Sequence, residues 1–195
     1  LDKKINNIRS SNFKPKDFII ADAKDADMAA GIRSTGFIRE SDGKLTNQPA
    51  PYFDYLKKME EMTNSGLVDV MLMSMTSAER LSNDGIFKTS EVTPAIRLND
   101  TSCIWGLIRH GEYNKEMSRP FATTQLRHAI NYVDLGLYSI TFNKDVDSDV
   151  AMLNQYRKFR DEAEQIGMRH FLEVFNSEVI KLSISEMGEY INDCI

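Results

Sequence analysis

Asp134-Leu-Gly-Leu-Tyr-Ser-Ile-Thr-Phe142, Asn143-Lys-Asp145 and the run that follows to Asn176 decide the fold. The first nine residues are almost continuously apolar with β-formers at their end, the pattern of a strand covered on both faces. After the break at Asn143-Lys-Asp145, apolar residues recur at Val146, Val150, Leu153, Tyr156, Phe159, Ala163 and Ile166. Steps of three and four place them on one helical face. Asp145, Asp147 and Asp149 crowd the first turn, where exposed amides accept carboxylates, and Gly167 stands where a helix ends in a left-handed residue. Arg169-His-Phe-Leu-Glu-Val-Phe175 then reads as a second strand. Strand, capped helix and strand make a βαβ unit, whose crossover is right-handed in nearly all sheets.

The same alternation runs outward to the N-terminus. A weak amphipathic pattern through Ile5 and Ile8 predicts a short helix before Pro15. Asp17-Phe-Ile-Ile-Ala-Asp22 reads as the first buried strand, and Ala23-Lys-Asp25 leads into a helical Ala26–Gly31. Residues 32–51 are rich in turn formers and predict a loop or short hairpin. Pro51 opens a helix with its apolar face at Tyr52, Tyr55, Leu56, Met59 and Met62, stopped by Gly66. Leu67–Met73 is the second strand, a short helix capped near Thr76 or Ser77 follows, and Thr93–Leu98 is the third strand. Residues 101–117 form an excursion carrying Trp105, Arg109 and His110, and Ser118-Arg-Pro120 opens a helix to about Tyr132. Five alternations of nearly all-apolar strands with helices imply an α/β fold with a parallel sheet. The 195 residues, 42% hydrophobic, suffice for one substantial core, so a single domain over 1–195 is expected, incomplete at its C-terminus because the sequence stops inside an expected helix.

A net charge of −5 argues against nucleic acid or an anionic membrane as the main partner, since both need concentrated Lys and Arg. Two cysteines, Cys103 and Cys194, fit no metal or redox spacing. No apolar run reaches membrane-spanning length and no signal-peptide pattern precedes the first strand, so a cytoplasmic protein is expected. The glycine-rich dinucleotide turn, the phosphate loop, the His-Glu-x-x-His helix and the Gly-x-Ser-x-Gly elbow are all missing from the sequence. No cofactor and no metal centre are expected.

Charged groups at strand ends are the candidates for chemistry, because parallel α/β sheets gather their sites at the carboxyl edge. Asp22 and Lys24 end the first strand and form a possible proton-transfer pair; the alternative is a surface salt bridge or a helix cap. Arg97 lies in the third strand, with Asn99 two residues on, and could hold an anion, or pair internally with Asp22, Asp69 or Glu173. Glu173 is a lone carboxylate in an apolar strand, sharing a face with Phe171 and Phe175, where burial would make it a general acid or base. Asn143, Lys144 and Asn176 end the fourth and fifth strands and offer amide or ammonium hydrogen bonds. Arg109 and His110 would belong to a lid.

Asp17–Gly31, Val70-Met-Leu-Met-Ser74, Thr93-Pro-Ala-Ile-Arg97 and Arg169–Phe175 together resemble the aldolase-type (β/α)8 barrels, class I aldolase-like proteins in particular. The resemblance implies a TIM barrel of which this chain holds about five βα units. It implies carbon–carbon lyase chemistry on a small oxo or sugar-phosphate-like substrate through a lysine imine. Asp22, Lys24 and Glu173 would then be catalytic, and Arg97, Asn99, Asn143, Arg109 and His110 would bind substrate. In that family the imine lysine lies on the sixth strand, beyond the five units here. A metal-dependent barrel lyase using carboxylates such as Asp22 and Glu173 is an alternative. A non-catalytic ligand-binding or oligomerising domain is another, and bare edges of a parallel sheet make a homo-oligomer the expectation in either case.

Overall fold

The computed structural model describes residues 1–101, 115–177 and 179–195. The chain forms two compact units, Leu1–Ile96 and Arg97–Ile195. It is α/β, and its principal strand pairings are parallel.

The first unit begins with α1 (Asp2–Arg9), held by the Lys4 ammonium on the Asp69 carboxylate at 2.7 Å. β1 (Ala21–Lys24) precedes α2 (Asp27–Ala30), and β2 (Phe37–Arg39) and β3 (Leu45–Pro49) form an antiparallel hairpin. α3 (Tyr52–Ser65) buries Tyr55, Leu56, Met59 and Thr63 and ends at Gly66, whose φ of 64° is the left-handed conformation that closes a helix. β4 (Val70–Met73) is buried at all four positions, and α4 (Met75–Asn83) starts at Ser74, whose hydroxyl accepts the Ser77 N–H. β5 (Thr93–Arg97) completes the strands. β4 pairs in parallel with β1 on one side and β5 on the other, Met71 standing opposite Asp22 and Pro94. An all-apolar sequence goes to this central strand because both of its faces and both of its edges are covered.

The first strand begins later than its sequence suggests. Asp17 closes a short 3-10 turn, Pro15–Asp17, with its carboxylate accepting from the Lys14 N–H at 2.8 Å and from the Asn7 amide. Phe18, Ile19 and Ile20 precede the strand, and Phe18 is 62% exposed. The apolar run Phe18–Ile20 is therefore an approach to the sheet and not its core.

In the second unit β6 (Asn99–Thr101) and β7 (Pro120–Ala122) pair antiparallel, and the short helix α5 (Leu126–Ala129) follows. The expected helix from Ser118 to Tyr132 is thus a strand and a single turn of helix. Pairing of Phe121 with Asp100 supplies hydrogen bonds that a helical Pro120–Thr124 would have to find within itself. Around the deciding stretch the structure follows the sequence closely: β8 (Leu135–Thr141), α6 (Val146–Ile166) and β9 (Arg169–Phe175) form the βαβ unit, with the two strands parallel and Ser139 opposite Glu173. Asp145 caps α6 by accepting the Ser148 N–H at 2.9 Å, and Gly167, at φ 76°, ends it. Tyr138, Ile140 and Phe142 pack on Met152 to form the core beneath α6. α7 (Ile184–Cys194) opens with a capping box between Ser183 and Glu186. Among the described residues no helix is long and apolar enough to cross a membrane.

Candidate functional site

The carboxyl ends of β1 and β4 bring acid and hydroxyl groups together in the first unit. Parallel pairing in register puts Lys24, the last residue of β1, opposite Met73, so Ser74 and the residues just after Lys24 emerge at one edge. Asp27 there accepts hydrogen bonds from the Ser74 hydroxyl at 2.5 Å and from the Ser77 hydroxyl at 3.3 Å. The Tyr52 phenol shares a hydrogen bond of 2.7 Å with Ser77, which extends the chain of hydroxyls from α3 through α4 to the acid. The second oxygen of Asp27 is buried and has no hydrogen-bond partner among the described residues. Burial pushes the Asp27 carboxyl above its ordinary value, against the opposing pull of the Ser74 and Ser77 hydroxyls. Desolvation also raises the Tyr55 phenol, and Asp27, Asp25 and Asp22 push it further.

Asp22 and Lys24, two residues apart on β1, meet as an ion pair at 2.5 Å, with 15% and 28% of their side chains exposed. Alternation places them on the same side of the strand. One Asp22 oxygen holds Lys24 and the other is buried without a hydrogen-bond partner among the described residues. The pair is therefore formed, and it can stand as the salt bridge or as the proton-transfer pair that the sequence offered.

The second unit builds a polar centre on a sheet face. Arg97, with 12% of its side chain exposed, donates to the Ser139 hydroxyl at 3.2 Å and reaches Glu173 at 3.5 Å and Asp100 at 3.8 Å. Ser139 in turn donates its hydroxyl hydrogen bond to Glu173 at 3.2 Å, and the Phe175 ring lies 5.9 Å from the guanidinium. The sequence named Glu173 among the internal partners of Arg97, and that pairing is present. Glu173 is less enclosed than its apolar strand implied: 39% of its side chain is exposed, because β9 is half covered along its length.

Asn99 and Asn143 are buried and already engaged. The Asn99 amide donates to the Ser139 carbonyl at 2.8 Å and accepts the Ser139 N–H at 2.6 Å. Asn143 accepts the Ser118 N–H, and its amide donates to the Ser118 carbonyl and to the Ser148 hydroxyl. Lys144 adopts a left-handed φ of 57° and donates its N–H to the Tyr190 phenol, which in turn donates to Asp149. Arg109 and His110 lie outside the described residues.

Asp27, Ser74, Ser77, Tyr52 and Ser139 were not singled out from the sequence. A signal existed for two of them, since Ser74 directly follows a strand and Asp27 lies three residues beyond one. Ser139 carried none, being one hydroxyl within an apolar run. Among the described residues no three His, Cys, Asp or Glu side chains are grouped so as to hold a metal ion. Comparison with known proteins finds no matching family model, no matching curated protein and no matching solved structure.

Proposed function

We propose that this chain carries βα units of an aldolase-type barrel lyase that makes or breaks a carbon–carbon bond in a small oxo or sugar-phosphate-like substrate through a lysine imine. The observation that carries the reading is Asp27: a carboxyl raised by burial, bonded to two hydroxyls, with one buried oxygen left unpartnered, at the carboxyl edge of parallel strands. Retro-aldol cleavage needs a group that takes a proton from the substrate hydroxyl and returns one to the carbanion carbon. A carboxyl poised above its ordinary range is suited to both steps. In this reading Asp22 holds Lys24 in place beside the reacting groups, and the imine forms on a different lysine, on a later strand as in the family the sequence resembles. In the second unit Arg97 and Glu173 form a separate acid and cation centre, with Ser139 hydrogen-bonded to both.

Borohydride treatment of the full-length natural protein, with a panel of aldehydes, ketones and sugar phosphates, tests the reading by intact mass. An adduct on a lysine is expected with at least one carbonyl substrate. A protein that forms a defined dimer and traps no carbonyl would instead be a non-catalytic ligand-binding domain. Once a substrate is known, Glu173→Gln is expected to lower turnover by roughly 10²-fold or more, the usual weight of an acid–base group, with unfolding curves unchanged; full activity in that variant would remove Glu173 from the chemistry.

A further inference from the structure

Successive residues of a strand face opposite ways, so Tyr138 is turned away from its neighbour Ser139 and from the Arg97 centre. On the Tyr138 side of β8 the second unit holds a cavity of about 470 Å³, within the range of small-molecule sites. Leu98, Leu126, Tyr138 and Phe159 give it an apolar, aromatic floor, and Tyr138 and Phe159 stack with centroids 4.3 Å apart.

Two features of this cavity ask for a ligand. Tyr138 is only 6% exposed and lines the cavity, and its hydroxyl makes no hydrogen bond to another described residue while staying open to solvent. Burial raises its pKa and keeps it a donor. The rim carries Arg127 and Lys158, neither in an ion pair among the described residues, against the single carboxylate Glu162. The opening is therefore cationic above an apolar floor that carries the Tyr138 hydroxyl as a donor.

We propose that this cavity binds a small carboxylate with a ring-sized apolar body and an acceptor oxygen at its far end. The carboxylate meets Arg127 and Lys158, the body lies against Leu98, Leu126 and Phe159, and the oxygen accepts from Tyr138. Nothing in this rests on the lyase reading: the site lies on the other face of β8 and stands whether or not an imine is trapped.

Calorimetry on the intact chain with three probes tests it: 4-hydroxyphenylacetate, 4-methylphenylacetate, which lacks the acceptor, and 2-(4-hydroxyphenyl)ethanol, which lacks the charge. The first is expected to bind saturably and each of the others about tenfold more weakly, about the net weight of a single hydrogen bond. Tyr138→Phe keeps the ring and the stack, so it should fold, and it is expected to erase the preference for the hydroxyl over the methyl probe. Lys158→Gln, at an exposed position, is expected to reduce the preference for the acid over the alcohol, the rest being carried by Arg127. Absence of saturable binding overturns the proposal, and so does binding whose preferences survive both substitutions.

Discussion

Asp27 sits where an ionised carboxylate is least welcome, since burial outweighs the two hydroxyls that favour its charge. Its pKa is raised on folding, so the folded state binds the proton more tightly than the unfolded chain does. Stability from this group is complete below its ordinary value of 3.8 and is lost as the pH rises through the folded value. Asp27→Asn is expected to flatten that decline: urea unfolding of wild type should weaken from pH 4 upward relative to the variant. Parallel curves over that range would mean that Asp27 is not raised in the folded protein. Ser139 poses a different problem of the same size. It joins Arg97 to Glu173 across 42 and 34 residues of sequence, so no local pattern could announce it. The charged pair was legible because an Arg and a Glu in apolar strands have few ways to be accommodated; the hydroxyl between them was not.

Elements whose ends are set by their own residues were the readable ones. α3 and α6 stop at left-handed glycines, α6 starts on an aspartate cap, and β8 and β9 lie within one residue of the range that their apolar runs predict. Misreading came where a distant partner decides. Pro120–Ala122 is a strand only because Asn99–Thr101 lies beside it, and Phe18–Ile20 looks like a core strand while all three of its residues are exposed, Phe18 most of all. β8 also contains a close approach that only glycine allows. A Cβ on Gly136 would overlap the Leu98 side chain, including Cγ at 2.6 Å, and Leu98 is buried. Gly136→Ala is expected to cost about 1–3 kcal/mol, the usual range for overpacking. Adding Leu98→Ala should recover part of that loss, giving a non-additive double-mutant cycle by denaturant unfolding. Additive losses would place the strain elsewhere.

At the scale of the molecule, protection should follow the two buried strands, one in each unit. β4 is buried at every position and so is β8, whereas α1 buries none of its residues and β2 is exposed throughout. Hydrogen exchange is expected to leave the amides of 70–73 and 135–141 protected longest and those of 2–9 and 37–49 shortest. Fast exchange along β8 would contradict the burial on which both of its faces depend. Those two faces carry different work, Ser139 in the charged centre and Tyr138 over the cavity, and the strand's period of two makes them interchangeable by a slip of one residue. Asn99 clasps the strand at Ser139. By presenting its amide to both backbone groups of Ser139 it acts as a peptide unit supplied by a side chain, and it fastens the strand at a single residue. A deletion of one residue between Ala122 and Ser139 would present that clasp with the peptide of the next residue instead and set the hydroxyl of Ser139 and the ring of Tyr138 on each other's sides.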